Sequence, residues 1–399
     1  MKAPRIMSLS PLARRRSGVA LAAAAALATT SFVGPAVGEA PSGLPEVPAN
    51  GEVGFLVSRF VMPIVPGLEP CPDGLVLNIR ESYVAGLPPA ERERLLRPEN
   101  EPELTKRWKA SIVGPGGANV CTNPEMFPDR PLMRTVRHAT GWGMDLDQGG
   151  NEDSCAHEEF TDPHGKTGID NQEYRTMGCW PSIRGYDGTG GDTLRGYDQF
   201  FASGEWTQVL LIRGIDSMVR DDDVTVIYAN TPDRPVADST GKFLPGASFT
   251  ISDTAPRHRN VLNARIVNGV LETAPQDVML TQTWGQGGAR DIRGNRTRFT
   301  FRKARLQLTF NPDGTLSGML GGYRPLFEIF QSPAIGGIGS ATTAGIDCAA
   351  QLATLKKMAD GIRDPQTGQC TAVSSAMRIT AIPAFVNDVP TPANRSASR

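Results

Sequence analysis

Oxygen-bearing side chains crowd one stretch of this chain: Asp145, Asp147, Asp153, Glu158, Glu159, Asp162, Asp170 and Asn171, with Gly149, Gly150, Gly165 and Gly168 among them. Carboxylates packed this densely repel one another unless they are solvated or share a cation, and calcium takes roughly six to eight oxygens from loops of this kind. The run from Asp145 to Asp153 follows the EF-hand loop at its first, third, sixth and ninth positions, with Gly150 at the sharp turn. Ala156 then stands where the bidentate glutamate belongs, and Gly141 and Gly143 precede the loop where a helix should be. The expectation is a calcium loop of non-EF type, with Asp145, Asp147, Asp153, Glu158, Asp162 and Asp170 as candidate ligands. The competing reading is a solvated acidic turn.

His157 opens a His-Glu-Glu-Phe-Thr run in which Thr161 replaces the second histidine of a zincin, and Pro163 disfavours the helix that would align His157 with His164. A zinc or copper site built from these two histidines and a carboxylate is a minor alternative in a chain with only four histidines. No Gly-x-Ser-x-Gly elbow occurs. Between residues 290 and 305, six arginines and Lys303 stand against the single acid Asp291. Phe299 and Phe301 share one parity and Leu306, Leu308 and Phe310 the other, so the strand must shift phase near Lys303, through a bulge. Arg296, Arg298 and Arg302 would then share a polar face that could bind an anion, or simply stand as a charged strand in solvent.

The elements that must position these groups are β-rich. A hydrophobic content of 39% with 7% aromatics is that of a globular chain, and 43 Gly with 32 Pro point to many turns. Asn268-Gly269 lies between apolar runs, the pattern of a two-residue hairpin, and Asn311-Pro312-Asp313-Gly314 marks a second. About eight strands are expected between Trp206 and Pro325, in a β-sandwich or jelly-roll core. Phe55 to Pro66 reads as a buried strand, while Glu91 to Leu96 and Glu101 to Trp108 read as surface helices. Asp347 reads as the N-cap of a helix that stops at Gly361, a short C-terminal helical element. The segment Gly188 to Gly196 matches one calcium β-roll nonapeptide, but a lone repeat reads better as a glycine loop.

Basic residues Lys2, Arg5 and Arg14 to Arg16, the apolar stretch Gly18 to Val33 and the small residues Ala36-Val37-Gly38 form an export signal. Its removal takes away five basic residues, moving the formal charge from −1 to −6, so net charge does not suggest a nucleic-acid partner. Six cysteines (Cys71, Cys121, Cys155, Cys179, Cys348 and Cys370) then read as three disulfides of an exported, periplasmic or extracellular protein, expected in sequential pairs. The expected organisation is a signal peptide at 1–38, an irregular disulfide-braced segment at 39–200, a β-sandwich at 201–330, a linker at 331–345, and a helix and tail at 346–399. The function expected is that of a binding or structural module at the cell envelope, with a structural calcium and an envelope glycan or other anionic surface ligand. The alternative is a secreted hydrolase using carboxylates on the same scaffold.

Overall fold

A computed structural model describes residues 43–150, 152–251, 259–283, 296–331 and 345–388. The expected signal peptide, most of the linker, and the last residues of the tail lie outside these. Eleven strands are described: β1 (Glu52–Val61), β2 (Gln208–Arg213), β3 (Arg220–Asn230), β4 (Ser248–Thr250), β5 (Arg259–Val267), β6 (Val270–Thr273), β7 (Gln276–Thr283), β8 (Arg296–Phe310), β9 (Leu316–Pro325), β10 (Gly361–Arg363) and β11 (Cys370–Asn387). Neighbours pair antiparallel in the order β1, β2, β3, β5, β6, β8, β9, β11, and β11 returns to pair with β1, closing a barrel of eight strands. β4 and β10 attach to β11, and β7 to β8.

The mainly β expectation therefore holds, but the arrangement is one closed barrel and not the two packed sheets of a sandwich or jelly roll. The reason is β11. Its eighteen residues pair with β9 along one edge and with β1 along the other, so neither edge of the sheet is left open. All eight strands expected between Trp206 and Pro325 are present as β2 to β9, and six of them enter the barrel.

Alternation decides what fills the interior. Phe55 and Val57, Leu210 and Ile212, Val226 and Tyr228, Leu262, Ile266, Leu271, Leu320 and Met377 belong to one buried cluster. An eight-stranded barrel is about wide enough for side chains to fill. β2 is apolar at every central position because its other face is covered too: Val209 and Leu211 pack with Ile227, Phe249 and Ile251. Lys303, at φ 49°, shifts the register between Arg302 and Arg305, which lets both Phe299–Phe301 and Leu306–Leu308–Phe310 point inward. The bulge inferred from parity is thus where it was expected. Asn230 and Asn260 extend the ladder with their side chains: Asn260 bonds both the N–H and the carbonyl of Met279, and Asn230 Oδ1 accepts from Thr281 N–H.

Between β1 and β2 the chain makes a long excursion carrying α1 (Ile79–Ala85), α2 (Pro89–Leu95), α3 (Glu101–Ser111), α4 (Gln172–Met177), α5 (Pro181–Arg184) and α6 (Asp192–Ser203). Among the described residues two further helices follow β9: α7 (Leu326–Gln331) and α8 (Cys348–Met358). No helix among the described residues is long and apolar enough to cross a membrane. α4 and α6 meet the inward-facing side chains at one end of the barrel. Arg324 of β9, stacked over Phe299 and Phe301, pairs there with Glu173 of α4, and Tyr197 and Phe201 of α6 pack on Trp206. The β-roll match resolves into a turn and the start of α6, with Asp192 in the first turn paired to Arg195. Asp347 does cap α8, accepting from the N–H groups of Ala349 and Ala350. Gly361 is not its stop: the helix ends at Met358, and Gly361 opens β10, where a Cβ would lie 2.1 Å from the Tyr323 ring.

All six cysteines are bridged, but the sequential pairing is wrong: the bonds are Cys71–Cys179, Cys121–Cys348 and Cys155–Cys370. The expectation assumed local loops. Instead the excursion folds back on the barrel, placing Cys71 beside the end of α4, Cys121 at the start of α8 and Cys155 at the start of β11.

Candidate functional site

Part of the acidic stretch lies outside the barrel wall, against β9, β10 and β11, where Leu146 packs with Tyr323 and Ala372. Its approach depends on glycine. A Cβ on Gly143 would stand 2.5 Å from the carbonyl oxygen of Asp170, and Asp170 N–H donates to Met144 O at 2.9 Å. Gln148, Gly149 and Gly150 all have positive φ, and the chain turns there.

Four side chains from four separate segments meet at this wall. His157 Nε2 lies 2.6 Å from Asp170 Oδ1 and 3.8 Å from Asp360 Oδ2, while its Nδ1 is 2.8 Å from the carbonyl oxygen of Cys155. Asp147, His157 and Asp170 each offer a ligand atom, all within 4.8 Å of one another. Asp170 is 1% exposed, Asp360 0% and Asp147 6%. Backbone groups hold the carboxylates: Asp170 Oδ2 accepts from Leu146 and Asp147 N–H, Asp147 Oδ1 from Gly149 N–H, and Asp360 Oδ1 from Ser374 N–H. Asp360 Oδ2 is buried without a hydrogen-bond partner.

The electrostatics follow from this burial. Desolvation opposes an imidazolium at His157, but the hydrogen bonds to Asp170 and Cys155 and the charges of Asp360 and Asp170 outweigh it, raising its pKa to about 9. Burial pushes Asp360 up to about 6, against the hydrogen bond from Ser374 and the charge of His157. Tyr323 is raised by burial and then by the negative charges of Asp170, Asp360 and Asp147. Both ring nitrogens of His157 are engaged, so in this arrangement the imidazole is not poised to take a proton from a substrate.

The other expected ligands go elsewhere. Asp153 pairs with Lys303, Glu158 is exposed and 3.5 Å from Arg175, and Asp162 accepts backbone N–H bonds within its own turn. Asp145 has one buried carboxylate oxygen without a hydrogen-bond partner, and its carbonyl accepts from Arg305. His164 packs edge-on against Trp142, away from His157. Asp360 was not legible as a member of the cluster, because it is some 190 residues from Asp170 and carries no motif of its own.

Of the arginine face, Arg302 is paired with Asp277 at 3.1 Å, and Arg298 is exposed opposite Thr281. The backbone of Arg296 pairs with Thr283. Arg305, on the far side of the bulge, instead donates to the carbonyls of Asp145 and Leu146. It helps to line a groove of about 640 Å³ in which Asp145, Asp162, Asp222 and Glu272 stand with Lys166, Arg265, Asn263 and Gln307, and among the described residues no aromatic side chain contributes. A second cavity, of about 620 Å³, is bordered by His157, Arg134, Arg137 and Arg175.

The architecture and sites define a disulfide-bonded, closed antiparallel barrel with a helical excursion. No protein-family model matches the chain, and neither the curated proteins nor the solved structures give a match.

Proposed function

We propose that this is an exported, disulfide-clamped barrel that works as a binding or structural module of the cell envelope, taking a polyhydroxylated ligand of the envelope-glycan class in its outer groove. The observation that carries the reading is the groove wall itself. Carboxylates, guanidinium groups and amides stand together there, and hydroxyl groups, which both donate and accept, match such a surface better than a purely anionic ligand would. Glu272 already accepts from Arg265 and Gln307, so the polar groups are pre-arranged. The barrel interior is filled by side chains, which leaves the outside of the wall as the place to bind.

Titration calorimetry of the mature protein with neutral and acidic envelope oligosaccharides tests this. Binding is expected, and it is expected to weaken at least tenfold in Glu272→Gln and to be unchanged in Arg298→Gln. Absence of binding to either class overturns the reading. Release of new reducing ends from the same oligosaccharides would favour the hydrolase alternative.

A further inference from the structure

We infer that Asp147, His157 and Asp170, with the buried carboxylate of Asp360 beside His157, form a structural centre for a divalent transition metal of the zinc type. The inference stands apart from the groove and would survive failure of the glycan reading.

The ligand set is one imidazole nitrogen and two carboxylates, those of Asp147 and Asp170, all within 4.8 Å of one another. Calcium is served by oxygen cages of higher coordination, whereas imidazole with carboxylate suits zinc and its first-row neighbours, for which three protein ligands leave a fourth position on the side of Asp360. The second observation is the arrangement behind those ligands. Nδ1 of His157 faces the Cys155 carbonyl at 2.8 Å and so keeps its proton, which leaves Nε2, hydrogen-bonded to Asp170 in the empty site, as the nitrogen that would give up its proton to a metal. Asp170 and Asp360 each have one oxygen fixed by backbone N–H groups and the other directed at Nε2, at 2.6 and 3.8 Å. Backbone N–H groups orienting the far side of a ligating carboxylate are what a metal centre requires.

The third observation is the orphan. Asp360 is wholly buried, and its Oδ2 has no hydrogen-bond partner while it points into the cluster. A buried carboxylate oxygen left this way is costly unless a cation answers it. Three buried carboxylates around one imidazole also leave excess negative charge that a divalent ion would balance. His157 borders the 620 Å³ cavity, which provides a route for the ion from solvent. The centre would tie the 147 loop, the 157 segment and the stretch of chain leading into α4 to one point, with the residue before β10 beside it.

The test uses the mature protein, stripped with a chelator and then titrated separately with Zn²⁺, Co²⁺ and Ca²⁺. One zinc per chain is expected to bind and raise the melting temperature, and cobalt is expected to give the visible absorption of a four-coordinate nitrogen and oxygen site. Calcium at the same concentration is expected to do neither. His157→Gln and the near-isosteric Asp170→Asn are each expected to weaken zinc at least 100-fold, with folding checked by circular dichroism. Asp153→Asn, outside the centre, should leave zinc affinity unchanged and so control for general surface charge. No stoichiometric zinc in the folded wild-type protein overturns the inference, as does zinc affinity that His157→Gln leaves intact, or calcium binding equal to zinc.

Discussion

Removing the Cys155–Cys370 bridge, by Cys155→Ser with Cys370→Ser, should cost about 4 kcal/mol of stability. The sequence separation of 215 would suggest more, but the loop this bond closes is shorter than that. From Cys155 the covalent path runs back to Cys121, across to Cys348 and on to Cys370, a ring of roughly 56 residues for which loop-closure entropy gives about 4 kcal/mol. In a chain already lacking Cys121–Cys348 the short path disappears, and the same deletion should cost about 1 kcal/mol more. For a compact unit spanning Ala40 to Arg399, whose unfolding entropy is about 0.75 kcal/mol per kelvin, 4 kcal/mol is about 5 °C in melting temperature. Scanning calorimetry of the wild type and the double serine variant, both thiol-blocked, reads this directly. A shift below about 2 °C would refute the reasoning by showing that the bridged segment opens independently of the barrel. A shift above about 12 °C would refute it too, since packing and not chain constraint would then carry the effect.

Two further predictions concern the barrel. Arg324→Met should cost about 3–5 kcal/mol in denaturant unfolding because it strands the Glu173 carboxylate, also 2% exposed, while adding Glu173→Met should recover most of the loss. Asp388 is held below the usual carboxylate range first by its hydrogen bond from Arg259 and then by Arg213, against a desolvation that would raise it. A depressed folded pKa gives stability that is complete above the unfolded value of about 4 and is lost as pH falls through the folded one. Thermal melts should therefore separate wild type from Asp388→Asn near neutrality and converge in acid; a gap that persists at the acid end would contradict the assignment.

What the sequence disclosed depended on how local the signal was. The hairpin at Asn268-Gly269, the helix cap at Asp347 and the bulge at Lys303 are written in a few neighbouring residues, and all three are found. Barrel closure is not local. It depends on β11 pairing with β1 across more than three hundred residues, and the run from Thr371 to Val386 mixes Ser, Ala and Thr so evenly that its alternation is weak. The candidate centre was largely legible: Asp147 and Asp170 stand in the acidic stretch and His157 was named beside them as a candidate zinc ligand, but density of carboxylates does not say which ones turn inward. Asp360 is added only by the path of α8 into β10.

Each native bridge passes over two other cysteines, so the three bonds interlace. A chain emerging across a membrane from its N-terminus presents Cys121 to Cys71 long before Cys179 appears, and Cys179 to Cys155 long before Cys370. Oxidation in order of arrival would therefore lock in the wrong pairs, and the strand that closes the barrel is also the one that delivers the last correct partner. For a chain exported as proposed, an oxidising compartment alone would not suffice; maturation would depend on thiol exchange fast enough to undo early bonds. Yield in a host should track isomerase capacity more closely than oxidant supply.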